Sequence, residues 1–187
     1  MAVKRDHVYE IVKDLIQDVE GEGSAKRVKR ILYLRPQALK IIREHGLSGR
    51  KIDNLARPFI VEAEHRNWYL GGDFSLAVGL LLSGGSRKLA ERAIAVSAKA
   101  GRWWDVKNLA TYLGREPSEK EACQVLQAET KRASRHENRQ QYGHKFMTDD
   151  EVELFKWGSQ YIGNTEKLKE IEEAFRARDY DWKHAID

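Results

Sequence analysis

Apolar residues recur every three to four positions along most of the chain, a spacing that places them on one side of an α-helix. The first such stripe predicts an amphipathic helix over residues 5–20 and comprises Val8, Ile11, Val12, Leu15, Ile16 and Val19. No segment of comparable length alternates apolar and polar residues as a half-buried strand does. The pattern therefore predicts an all-α protein.

Glycine, proline and capping residues divide the remaining pattern into short helices. Gly46, Gly101 and Gly114 are predicted to end helices, since glycine tolerates the left-handed conformation found there. Pro58 is expected to break or kink a helix that begins near Ser48, because proline has no N–H to donate. Further helices are predicted over residues 36–45, 49–57, 74–82, 87–100, 103–113, 119–134, 149–161 and 165–177, with shorter ones around Val28 and Ile60.

Two capping boxes mark helix starts at Ser118 to Glu121 and at Thr148 to Glu151. In such a box the hydroxyl accepts from a backbone N–H, and the glutamate three residues later accepts from the N–H of the capping residue.

Residues 74–82 form the most apolar of the predicted helices, and we expect them in the centre of the core.

Matching residues 30 positions apart point to an internal repeat. Gly71, Phe74, Leu76, Leu80 and Gly84 match Gly101, Trp104, Val106, Ala110 and Gly114. A helical hairpin has about this length, and stacked hairpins form arrays. We therefore predict an array or irregular bundle of short antiparallel helix pairs, of the tetratricopeptide or HEAT type, although the tetratricopeptide signature itself is absent. Coincidence among short helices is the alternative.

The expected organisation is an N-terminal basic helical region, residues 1–70, followed by a region of helical hairpins, residues 71–187. One continuous domain is the alternative, since 187 residues suit a single core. The only cysteine, Cys123, excludes an intrachain disulfide and fits a reducing, cytoplasmic setting. The longest apolar run, Leu76 to Leu82, is far short of the roughly 20 residues needed to cross a bilayer. We therefore predict a cytoplasmic protein with no membrane partner.

The charges are unevenly distributed. The net charge is only +4, but residues 26–58 contain ten Lys and Arg against two acids, whereas residues 147–187 contain eleven acids against six bases. Basic side chains neutralise phosphates, so a nucleic-acid surface is one prediction for the basic block. Its candidate residues are Lys26, Arg27, Lys29, Arg30, Arg35, Lys40, Arg43, Arg50, Lys51 and Asn54, together with Lys131, Arg132, Arg135 and Arg139 from a second basic stretch. Solvated surfaces are the alternative for both segments.

The basic block also contains a possible helix-turn-helix, with Gly46 in the turn and residues 49–57 as the second helix. Ile52 and Leu55 would then point inward, and Arg50, Lys51 and Asn54 outward, toward base edges. Two features argue against the motif: Ile42 occupies a position that normally requires a small residue, and Pro58 shortens the second helix.

Five tryptophans are many for a chain of this length, and tryptophan serves both in cores and in binding surfaces. Trp104 and Trp157 are predicted to lie in the core. The adjacent Trp103, with Arg102 and Lys107, is predicted to form an exposed contact for a partner protein, and Trp182 is a further candidate for partner binding.

Signals for catalysis are weak. The six histidines show no HExxH-type spacing, Cys123 lies on an apolar helix face, and no phosphate-binding glycine loop is present. We predict no catalytic residues, no metal and no cofactor. The leading expectation is a non-enzymatic helical-repeat module that binds another macromolecule, and the alternative is a nucleic-acid-binding protein.

Overall fold

The computed structural model describes residues 5–16, 33–65, 72–134 and 149–178. These segments are almost entirely helical, and no strand occurs within them. The predicted all-α class is confirmed. The helices are α1 (Arg5–Ile16), α2 (Arg35–His45), α3 (Gly49–His65), α4 (Gly72–Leu82), α5 (Arg87–Lys99), α6 (Trp103–Tyr112), α7 (Glu119–Ser134), α8 (Asp149–Ser159) and α9 (Thr165–Arg178). The short helix predicted around Val28 and the capping box at Thr148 lie outside the described residues.

Of the predicted break or kink at Pro58, the break does not occur, because α3 continues through Pro58 to His65. A proline inside a helix costs about 3 kcal/mol. Ile60 and Ala63 lie beyond it and are buried, and burying a side chain such as isoleucine contributes roughly 1.5–3 kcal/mol. Packing of the second half of the helix therefore offsets the cost of the proline.

Contacts divide the chain into two compact units, residues 1–93 and 94–187, and the division falls within α5. The boundary predicted after residue 70 lies in residues 66–71, which are not among those described.

In the first unit, α1 packs on α2 and α3 packs on α4. Gly79 of α4 lies against α2, where an added Cβ would be 2.9 Å from Cδ1 of Leu39. The central position predicted for residues 74–82 is confirmed, since all but one of their large apolar side chains are buried: Phe74, Leu76, Val78, Leu80 and Leu81. Leu82 is the partly exposed member.

Polar contacts join the ends of helices in this unit. The buried guanidinium of Arg35, in the first turn of α2, forms an ion pair with Asp73 in the first turn of α4. Asp53 of α3 accepts a 2.8 Å hydrogen bond from the N–H of Ser86, and the Ser86 hydroxyl accepts from the N–H of Leu89. Ser86 thus caps α5, and α3 fixes the position of the cap.

In the second unit, α7 packs against α6, α8 and α9. Its buried residues are the apolar Ala122, Cys123, Val125 and Leu126 together with the acid Glu129. The capping box predicted at Ser118 is confirmed: the Ser118 N–H donates to Glu121 Oε2 at 2.8 Å, and the Glu121 N–H donates to Ser118 Oγ at 3.3 Å. Arg115 adds two hydrogen bonds to the same carboxylate.

Residues that match 30 positions apart agree in burial or backbone conformation at some positions and differ in burial at one. Leu76 and Val106 are both buried, and Gly84 and Gly114 both have positive φ, as their places after α4 and α6 require. Phe74, however, is buried, whereas Trp104 is 52% exposed. The repeat itself stays a prediction.

Candidate interaction surfaces

Four aromatic rings form a connected cluster in the second unit. Trp103 and Trp104, at the start of α6, are stacked with ring centroids 4.0 Å apart. The Trp103 ring lies 5.7 Å from that of Trp157 on α8, and Trp157 meets Tyr161 edge-on at 5.5 Å. Offset and edge-to-face pairs of this kind stabilise aromatic clusters beyond the area they bury.

The cluster extends from the core to solvent. Trp157 is buried, as predicted, Trp103 is half-buried and Trp104 is exposed. The prediction that Trp104 belongs to the core is therefore wrong. The reason is angular: α6 buries Val106, Leu109 and Ala110, and successive residues of an α-helix are rotated by about 100°. Trp104 consequently points away from that face, and Trp103 points to its edge.

Charged side chains flank the exposed indole. The Lys107 ammonium lies over the Trp104 ring, 5.1 Å from its centroid, in a cation–π contact. Arg102 donates to the Asp105 carboxylate at the first turn of α6. Burial raises the pKa of Asp105, and the adjacent Arg102 acts in the opposite direction.

We call Trp103, Trp104 and Lys107 the aromatic surface. Arg102, Trp103 and Lys107 lie at and just after the start of α6, but Trp103, which was predicted to be exposed, is half-buried. The exposed ring is that of Trp104, which was predicted to lie in the core. Along the helix the exposed positions continue through Asn108 and Thr111. Trp182 lies outside the described residues.

A second candidate surface lies on α3 in the first unit. Arg50, Asn54 and Arg57 are all exposed and follow the i, i+4, i+7 spacing of one helix face. Ile52 and Leu55 are buried on the opposite side, in the orientation predicted for them. We call Arg50, Asn54 and Arg57 the basic face.

The other basic residues predicted in this unit differ in how far they are exposed to solvent. Lys51 is half-buried, with its ammonium 5.3 Å from the centroid of the Tyr9 ring. Lys40 and Arg43 are exposed on α2, and Lys40 lies 3.8 Å from the Glu44 carboxylate. The prediction that Arg35 belongs to a phosphate-binding surface does not hold. Its guanidinium is buried against Asp73 and contributes to the core.

The remaining basic candidates lie on α7 or outside the described residues. Lys131 is exposed in the last part of α7, but nothing is described of the side chain of Arg132. The candidates outside the described residues are Lys26, Arg27, Lys29, Arg30, Arg135 and Arg139.

A pocket of about 580 Å³ lies beside Cys123 and is lined by Ser118, Glu119, Lys120, Cys123, Gln124, Gln127 and Lys167. Burial raises the pKa of the Cys123 thiol, with Lys167 opposing and Glu119 reinforcing that shift. The thiol is thus protonated near neutral pH, which does not favour a nucleophile.

In the segments that the structure describes, no three His, Cys, Asp or Glu side chains converge as ligands of a metal ion. The same segments contain no helix long and apolar enough to cross a membrane. Comparison of the chain with models of protein families, with curated proteins and with solved structures gives no match.

Proposed function

We propose that this chain is a non-enzymatic interaction module that binds a partner protein through the aromatic surface of α6. The observation that carries the proposal is the exposed Trp104 ring, stacked on Trp103, which in turn contacts the buried Trp157. Tryptophan, tyrosine and arginine dominate the energetically important positions of protein interfaces.

The stacking also prepares the surface for binding. A side chain that is ordered only in a complex loses about 0.5–1.5 kcal/mol of conformational entropy on association. Trp104 is supported by the stacked ring of Trp103 and by the Lys107 ammonium over its own ring, so part of that loss is already incurred in the free protein. The exposed row that follows along α6, Lys107, Asn108 and Thr111, supplies the polar rim that interfaces commonly have.

Truncation of Trp104 tests this proposal. The partner is first isolated from an extract of the source organism on the immobilised full-length chain, and its affinity for purified variants is then measured by isothermal titration calorimetry. We expect Trp104→Ala to weaken binding about thirtyfold, since removal of such a residue costs about 2 kcal/mol or more. Binding through this surface should change little with added salt.

Tyr33→Ala is the matched control, because Tyr33 is an exposed aromatic residue in the first unit. It should bind the partner with wild-type affinity. Equal affinities of Trp104→Ala and the wild type, or a loss caused by both variants alike, would contradict the proposal.

A further inference from the structure

The basic face of α3 is not used by the function proposed above and lies in the other unit. We infer that Arg50, Asn54 and Arg57 form a docking surface for double-stranded DNA. The inference goes beyond the proposed function, because it concerns a different ligand, a different helix and a different kind of contact.

The length and spacing of the basic face suit a DNA groove. Arg50 and Arg57 are separated by seven residues, or roughly 10 Å along a helix axis. α3 contains 17 residues and continues through Pro58, itself exposed. The face is therefore part of a long helix, and the predicted truncation at Pro58, which argued against DNA binding, does not occur.

Asp53, the acid closest to this face in the sequence, is engaged elsewhere, and Glu64, further along α3, is paired with Arg92. Between Gly46 and Val61 the sequence contains three basic residues and one acid, Asp53. The Asp53 carboxylate is buried and accepts the hydrogen bond from Ser86. Lys51 follows Arg50 in the sequence, and its ammonium lies over the Tyr9 ring. This charge adds to the positive potential near the basic face.

Additional positive charge comes from the preceding helix. Arg43 is exposed within one turn of the end of α2, and Arg50 is exposed at the start of α3, so both flank the short connection of residues 46–48. Unlike the two helices of a standard helix-turn-helix, α2 and α3 pack mainly on other helices: α2 packs on α1, and α3 packs on α4. Ile42 is buried, so a large residue is accommodated at this position.

The side chains of the basic face favour duplex DNA over other nucleic acids. Arginine binds phosphates and the edge of guanine, and asparagine binds the edge of adenine. The major groove of B-form DNA admits an α-helix, whereas that of A-form RNA is too deep and narrow. Single strands are usually bound by exposed aromatic rings, and the basic face contains none.

Fluorescence anisotropy with the full-length chain tests the inference. The labelled probe is a mixed-sequence DNA duplex of about 20 base pairs, roughly two helical turns. Single-stranded DNA and duplex RNA of the same sequence are measured in parallel, at roughly 50 and 200 mM salt. We expect the DNA duplex to bind most tightly at the lower salt concentration and to bind much more weakly at the higher one.

Charge reversal then assigns the surface. Arg50→Glu with Arg57→Glu should weaken binding about tenfold or more, since two phosphate contacts become repulsive. Lys156→Glu with Lys169→Glu reverses the same number of charges at exposed positions of the second unit and should change binding less than about twofold. Circular dichroism confirms that each variant is folded.

A milder variant keeps the test decisive if the reversal impairs folding. Arg50→Ala with Arg57→Ala should reduce the slope of log affinity against log salt by about 2. The inference is overturned if the DNA duplex does not bind at low salt, if both reversal variants lose binding equally, or if single-stranded DNA or duplex RNA binds as tightly as the DNA duplex. Because the aromatic surface is unchanged in all these variants, loss of DNA binding leaves partner binding intact.

Discussion

Gly158 allows α8 to approach α7 closely. A Cβ added at this position would lie 2.7 Å from Cδ1 and 2.8 Å from Cγ of Leu126, a fully buried side chain. The Cγ atom is bonded to Cβ and carries both methyl groups, so it moves only by a rotation about χ1 that displaces the whole side chain. A small residue at this point is therefore a packing requirement.

We expect Gly158→Ala to lower the free energy of unfolding by about 1–2 kcal/mol. Overpacking costs about 1–3 kcal/mol, and the better helix propensity of alanine recovers up to about 1 kcal/mol. Urea denaturation followed by circular dichroism measures the change. Gly163→Ala is the control, since its added Cβ meets no atom within 4 Å among the described residues, and it should be nearly neutral. Equal stabilities of the two variants would show that Leu126 adapts freely.

The two adjacent tryptophans show how far the sequence could predict single residues. It indicated correctly that Trp103 and Trp104 must face different ways, because neighbours on a helix do. It assigned Trp104, the more exposed of the two, to the core. The phase of α6 is set by Val106, Leu109 and Ala110, which contact other helices, and two large adjacent aromatics do not by themselves reveal that phase.

At the scale of helices, one local capping signal is confirmed. The box at Ser118 forms as predicted, and Arg115 reinforces it through two hydrogen bonds to Glu121 that the sequence did not indicate. Burial alone would raise the pKa of Glu121, but the hydrogen bonds from Arg115 and from the Ser118 N–H outweigh it, so the pKa of this carboxyl lies below its ordinary value.

This lowered pKa predicts a pH-dependent contribution to stability. A carboxyl with a lower pKa in the folded state stabilises the fold above its unfolded-state pKa and loses that effect as the pH falls through the folded-state pKa. Wild type should therefore be more stable than Glu121→Gln by about 1 kcal/mol at neutral pH, with the difference shrinking below about pH 4. Urea denaturation at a series of pH values measures it.

Glu119→Gln is the matched control, since Glu119 is exposed in the same first turn of α7. Its effect at neutral pH should be smaller, because an exposed acid at this position interacts mainly with the helix dipole. A difference between wild type and Glu121→Gln that stays constant from acid to neutral pH would contradict the assignment.

At the scale of the whole molecule, one continuous helix contributes residues to both compact units. α5 spans residues 87–99, and the division falls after Ala93. Ala95 is exposed near the middle of the helix. Its side chain makes little contribution to either core, so substitutions there report on the helix itself.

We predict that Ala95→Pro destabilises both units. Proline removes a backbone hydrogen bond and clashes with the preceding turn, at a cost of about 3 kcal/mol or more, whereas Ala95→Gly should cost about 1 kcal/mol. Hydrogen exchange measured by mass spectrometry should show faster exchange in α4 of the first unit and in α7 of the second. Faster exchange confined to one unit would show that the two units are independent of the helix.

What the sequence determined by itself is local. The spacing of apolar residues specifies helices, and glycines and capping residues specify most of their ends, because these signals act within one or two turns. Even the core position of residues 74–82 follows from composition alone, since so apolar a helix has no face suited to water.

What only the tertiary structure decided depends on distant residues. Helix α3 passes through Pro58 because Ile60 and Ala63 are buried beyond it, and Arg35 leaves the basic surface because Asp73 lies 38 positions away in the sequence and next to it in the fold. Trp104 reaches solvent because the helices packed on α6 set its rotation. In each case the deciding energy comes from packing against, or pairing with, residues of another helix, and a pattern read along one helix contains no record of them.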